Sequence, residues 1–319
     1  MRFGLFFATE LGSTGFRKAS LSETAATSGV TPATRVDTIA LAAGLVTVTL
    51  WGSAFVGIRA AGVAFSAGSL ALGRLIVSSL LLGGFALVRR EPLPRRRDLL
   101  PIAAYGVLWL AIYSISLNAA ERIVDAGTAA MLIGIGPLLI AVLAGLFLRE
   151  GFQRGLFGGL AIAFAGSVMI GVATAQSGTR AGLGILLLGV AVLVYSVAVV
   201  IQKSVSSRVS SFQVTWLGVT AATVACLPFL PALAADAAQA NLAAIGWLVY
   251  LGTFPTALGF ATWAFALRRT SAGRMASLTY LAPVVAVVLG WALLGEKPPW
   301  LALAGGALCL AGVYVARRR

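Results

Sequence analysis

Ten apolar stretches separated by short polar breaks run along the chain, at residues 39–58, 68–88, 99–117, 127–148, 155–173, 183–201, 212–231, 242–264, 275–294 and 300–316. A hydrocarbon core about 30 Å thick takes roughly 17 to 25 helical residues to cross, and each stretch meets that demand. None shows the period-two alternation of a half-buried strand, and an open sheet edge leaves backbone groups unsatisfied in lipid. The pattern predicts an all-α integral membrane protein of ten transmembrane helices. Residues 1–36 precede the first span and read as a disordered cytoplasmic tail. Their apolar patch, Phe3 to Ala8, is too short for a span or a signal-peptide core.

The pattern repeats. Asp125 to Ile170 aligns without a gap on Ser271 to Ala316 at an offset of 146 residues, superposing Pro137 on Pro283, Glu150 on Glu296, Gly159 on Gly305 and Gly166 on Gly312. Alanine, glycine and leucine match by accident in so apolar a chain, so the proline and glutamate pairs carry the weight. The expected organisation is two five-helix repeats, residues 37–175 and 181–319. An odd number of crossings per repeat inverts the second relative to the first, and inverted repeats that rock about a central site are a common transporter design.

Charge orients the spans. With the N-terminus in the cytoplasm, the inner segments hold 19 of the 24 lysines and arginines; Arg59, Arg122, Arg180 and Lys297 lie outside and Arg74 lies within a span. This asymmetry follows the positive-inside rule and places both termini in the cytoplasm. The net charge of +14 is dispersed over loop ends and accompanied by no nucleic-acid-binding module, so lipid headgroups, not nucleic acids, are the expected partners. A composition of 59% hydrophobic and 11% charged residues, with mean hydropathy +0.96, excludes a soluble domain. There is no histidine, the two cysteines stand singly, and no phosphate loop or paired intramembrane carboxylates occur. No metal site, cofactor or enzyme chemistry is expected.

Some side chains stand out within the spans. Pro137 and Pro283 lie mid-helix, where each frees the carbonyl four residues earlier, next to Gly134 and Gly136 in one repeat and Thr279 and Tyr280 in the other. The glycines and prolines are hinge candidates and Thr279 and Tyr280 are substrate contacts; packing kinks are the alternative. Trp109, Tyr113 and Ser116 share one helical face, as do Thr253, Thr256, Phe260 and Trp263. Both faces mix aromatic and hydroxyl groups as ligand cavities do, although Trp263 also suits an interfacial belt. Arg74 is costly in hydrocarbon unless paired; it either meets a substrate carboxylate or bonds to helix carbonyls. Glu150 and Glu296, at helix ends, suit a gate or a structural contact. With no acid mid-span, proton exchange would fall to Asp37, Glu121, Asp125, Glu150 or Glu296, and the pattern leans to a facilitator. Gly155 and Gly159 form a GxxxG that serves either a dimer or packing within one chain, leaving monomer and homodimer open.

WGSAFVGIR at Trp51 to Arg59, Arg74 in the second span, the mid-span prolines, and LREG and LGEK closing spans four and nine resemble the EamA-type branch of the drug/metabolite transporter superfamily. A weaker copy of the first motif recurs as YSVAVVIQK at Tyr195 to Lys203. The resemblance covers roughly residues 37–316. It implies an inner-membrane carrier of small metabolites, with amino-acid export frequent among relatives, and a central cavity between spans three, four, eight and nine. Trp51 and Ser53 of the first motif join the cavity candidates. The embedded first-span glutamate of the small multidrug relatives has no counterpart in Ile39 to Ile58, which disfavours cationic-drug exchange by that route. Carriage of another small metabolite, a sugar, nucleotide-sugar or drug-like compound, and a non-transporting scaffold or receptor are the alternatives.

Overall fold

The computed structural model describes residues 37–122, 133–151, 154–174, 181–294 and 299–317. Among them the chain is helical, with no strand. The helices are α1 (Thr38–Ala61), α2 (Ala67–Arg89), α3 (Arg96–Ala120), α4 (Gly136–Phe147) and α5 (Arg154–Thr174). They continue as α6 (Ala181–Val205), α7 (Ser211–Gln239), α8 (Leu242–Arg269), α9 (272–294) and α10 (Trp300–Arg317). Helices α1, α2, α3, α6, α7 and α8 are long and apolar enough to cross a membrane. Ten full spans are not confirmed among the described residues: the apolar segments that count there are Gly136–Phe147 of α4, Gly155–Met169 of α5 and Leu303–Ala316 of α10, which are shorter. The expected tail, 1–36, lies outside the described residues.

Leu80, Leu87, Leu186, Val224 and Leu310 turn outward. Such a belt of exposed large apolar groups is what lipid contact requires and what water would penalise. Inside, small residues let helices approach. A Cβ on Gly159 would fall on the Ala316 backbone, and one on Gly312 on Ala163, so α5 and α10 touch backbone to backbone. The small-residue face of α5 is thus used within the chain. Cys309 Sγ, at 3.4 Å from the Ala163 carbonyl, closes the same seam, and these two residues are repeat counterparts.

The helix ends carry local signals. Asp37 caps α1 through the Ile39 and Ala40 N–H groups, Ser210 and Gln213 form a capping box on α7, and Asn241 caps α8. One end of the bundle is rich in basic groups, several of them tied across it. Arg269 pairs with Asp37 at 3.2 Å and Arg208 with the buried Asp98 at 3.0 Å. Lys203 Nζ donates to the Leu267 and Thr270 carbonyls, satisfying the C-terminus of α8. At the opposite end, Asp236 accepts from Ser66 N and Ser69 Oγ.

Candidate functional site

The site begins with a proline that sequence reasoning passed over. Pro255 lacks an N–H, and around it α8 loosens into a π-helical turn, Gly252–Leu258. The carbonyls released there are claimed by side chains. Thr256 Oγ1 donates to the Leu251 carbonyl at 2.7 Å, Ser78 Oγ to that of Gly252, and Trp51 Nε1 to that of Pro255 at 3.2 Å. The Thr256 oxygen in turn accepts from Arg74 Nε at 3.0 Å. A backbone irregularity in one helix thereby orients the buried arginine of another. Arg74 is only 8% exposed, and among the described residues its terminal Nη atoms have no hydrogen-bond partner.

Beside this arginine, towards the basic end, lies an aromatic cluster. Trp51 of α1 stands 5.6 Å from Trp109, 5.1 Å from Phe260 and 5.1 Å from Trp263, between ring centroids. Trp109 in turn meets Phe260 at 5.0 Å, Trp263 at 5.3 Å and Tyr195 at 5.6 Å. These separations match edge and tilted aromatic packing. Tyr195 also meets Tyr113 at 5.5 Å. Trp263 is fully buried and donates Nε1 to Gln202 Oε1 at 3.0 Å, so it is no interfacial belt residue. Trp109 and Tyr113 lie in a second π-helical turn, Gly106–Tyr113, and still face the same tyrosine.

The helix breaks meet beneath this cluster. Helix α4 starts at Gly136 with Pro137 in its first turn, after a break at Gly134 and Ile135. Leu138 N turns to the Ile135 carbonyl, and the Gly134 carbonyl accepts from Tyr280 Oη at 2.7 Å. Tyr280 sits in the 3-10 turn Leu278–Tyr280 that interrupts α9, and it is the repeat counterpart of Gly134. A Cβ on Gly136 would collide with the Tyr195 ring, which therefore lies directly against the break.

Other expected residues fall elsewhere. Ser53 bonds Tyr250 Oη at 2.6 Å, and Tyr250 packs against Trp247 and Phe254 of α8. Thr253 is half-buried, Ser116 is buried, and Thr279 bonds its own helix at the Ala276 carbonyl. Pro283 lies within α9, while Glu296 and Asp125 lie outside the described residues. Glu150 reaches across from the first half and accepts from Ala272 N with both oxygens, at 3.0 and 2.9 Å. Glu121, one residue beyond α3, has a buried Oε1 with no hydrogen-bond partner. Burial pushes its carboxyl up to about 7 against the pull of Arg59 and then Arg74. Sequence reasoning missed Tyr195, Gln202, Asn118 and Pro255. Pro255 carried a signal as a further proline inside a span, and Tyr195 and Gln202 carried one as members of the weaker copy of the first motif.

The EamA-like transporter family profile matches this chain twice, over residues 38–172 and 182–318. The chain belongs to the EamA-like transporter family. Among its relatives, a probable terminal-alkyne amino-acid exporter of Streptantibioticus cattleyicolor is 38% identical over 86% of this chain and 92% of that one. An uncharacterized inner membrane transporter of Escherichia coli K12, YedA, is 30% identical over 83% and 87%. A crystal structure superposes with a TM-score of 0.72 at 19% identity, covering 87% of this chain and 97% of the other, which shows a shared fold. This EamA-like protein is a multi-pass membrane transporter.

Proposed function

We propose that this EamA-like protein exports amino acids or amino-acid derivatives across the inner membrane by alternating access. Its two inverted five-helix repeats, 37–175 and 181–319, move about the meeting point of their helix breaks, and both termini face the cytoplasm. The observation that carries the substrate class is Arg74. Its Nε is held by Thr256 and, among the described residues, its Nη atoms have no hydrogen-bond partner, beside aromatic side chains. A planar guanidinium so held suits a carboxylate, which it meets through two parallel hydrogen bonds. Phosphorylated substrates would call for more buried cations than this one. The exporter named among the relatives points the same way.

Alternation draws support from the Glu150 to Ala272 contact and from the Tyr280 to Gly134 bond, both of which join the halves. With the basic end cytoplasmic, the first of these closes the inner side. Counterflow in proteoliposomes, with labelled Phe, Trp, Thr and Cys, tests the reading. Saturable uptake that R74Q abolishes is expected. No uptake of any amino acid by a monodisperse wild-type preparation would overturn it.

A further inference from the structure

Three polar groups near the outer end of the bundle have unmet hydrogen-bonding capacity, and they are not all of one kind. Arg74 offers donors; Asn118 Oδ1 and Glu121 Oε1 are buried acceptors without a partner. Unpaired buried acceptors are costly and rare in folded proteins. Asn118 and Glu121 stand three residues apart at the end of α3 and so share a face. Asn118 Nδ2 donates to the Ala67 carbonyl at 3.2 Å, which leaves the amide oxygen as the free group and ties this turn to the start of α2, the helix that carries Arg74. Arg74 and Glu121 lie within electrostatic reach of each other, and Tyr113 within reach of both.

We propose that Asn118 and Glu121 form an ammonium subsite which, together with Arg74, holds an amino acid as its zwitterion, and that a proton competes with the ammonium for the Glu121 carboxylate. The proposal rests on the amino-acid reading above and extends it. The substrate carboxylate lies on the guanidinium, and its ammonium donates to Oδ1 and Oε1. When Glu121 carries a proton, that proton leaves to water as the ammonium arrives, and it returns when the substrate departs. A proton and an amino acid are then alternative occupants of one group, so acidity at the outer face favours release.

The surroundings of Glu121 are consistent with such a competition. Arg59 at the end of α1, Arg74 of α2 and Tyr113 of its own helix are the charged and titratable groups facing it among the described residues. Neighbouring Arg122 lies within electrostatic reach of Asp236. Helix α6 presents Leu187 and Leu188 to this turn of α3. Burial holds the carboxyl at about 7, so both occupants are available near neutrality.

The test is equilibrium binding to the full-length protein in nanodiscs between pH 5.5 and 8.5. The probe is whichever of labelled L-Phe, L-Trp, L-Thr and L-Cys binds tightest, competed with its N-acetyl derivative and its decarboxylated amine. The apparent Kd should rise about tenfold per pH unit below about 7, and the N-acetyl derivative should compete at least about tenfold more weakly than the parent. E121Q should flatten the pH profile and narrow the N-acetyl penalty; N118L should weaken the parent but keep the pH dependence. A flat wild-type profile, or N-acetyl competition at parity, overturns the proposal while leaving amino-acid transport standing. If no amino acid binds at any pH and counterflow is also negative, the underlying reading falls, and this one with it.

Discussion

Replacing Glu150 with alanine should open the basic end of the protein. The carboxylate accepts from Ala272 N with both oxygens, at 3.0 and 2.9 Å, and so joins the end of α4 to the start of α9. A hydrogen bond to a charged group is worth about 1.5–3 kcal/mol. If the contact exists only in the closed state, its loss shifts the closed-to-open ratio by roughly tenfold to a hundredfold. E150Q keeps an accepting oxygen and loses only the charge at a helix N-terminus, about 0.3–1 kcal/mol, or roughly two- to fivefold. The assay is maleimide labelling of A141C from the side of the membrane that the basic end faces. Ala141 is 4% exposed and lies against Gly273 in the wall between the two helices. The native thiols, Cys226 and Cys309, are both buried and give a low background. The labelling rate should rise in the order wild type, E150Q, E150A. Equal rates in all three would refute the idea that this contact holds the end shut.

Four further outcomes are expected. R74K should lower counterflow more than tenfold, since an ammonium cannot bond Thr256 and present a planar fork together; T256V, which keeps the guanidinium, should cost less. Q202L should leave the Trp263 N–H buried without an acceptor and destabilise the protein by about 1–3 kcal/mol, read as a lower thermal-unfolding midpoint in detergent. G312L should force α5 and α10 apart, cost about 1–3 kcal/mol, and lower the same midpoint. Asp37 sits below the usual carboxylate range, chiefly because the Ala40 N–H bonds it and further because of Arg269. A lowered folded value means that its contribution is present above the unfolded value and is lost as pH falls through the folded one. D37N should therefore be less stable than wild type at neutral pH, with the gap narrowing below about 4 and closing only as pH passes the lowered folded value.

Much of the fold was legible in the chain because lipid imposes one rule on every residue of a span. Backbone groups must be satisfied within the helix, so an apolar run of sufficient length reads directly as a helix. The basic loop ends and the repeated proline and glutamate positions were legible for similar reasons, since each reflects a local demand of topology or backbone. The share of an aromatic face assigned to Trp109, Tyr113, Phe260 and Trp263 also follows from spacing along single helices, and these residues do gather around Trp51 and Tyr195.

What spacing could not supply was which helix each face meets. Tyr195 and Gln202 lie in the weaker copy of the first motif, but that motif does not say what they touch; they acquire their roles because the α4 break and Trp263 lie against them. Trp263 looked equally suited to a membrane interface until tertiary packing enclosed it. The orientation of Arg74 depends on a chain of bonds from Pro255 through Leu251 and Thr256, between residues 182 apart in sequence at its last step. The sequence by itself determined the solvent, the apolar helices and the breaks near Pro137 and Pro283, because those depend on each residue and its near neighbours. Tertiary structure alone decided which released carbonyls and unpaired side chains face one another, because hydrogen-bond partners at that range are set by packing and leave no periodic trace in the chain.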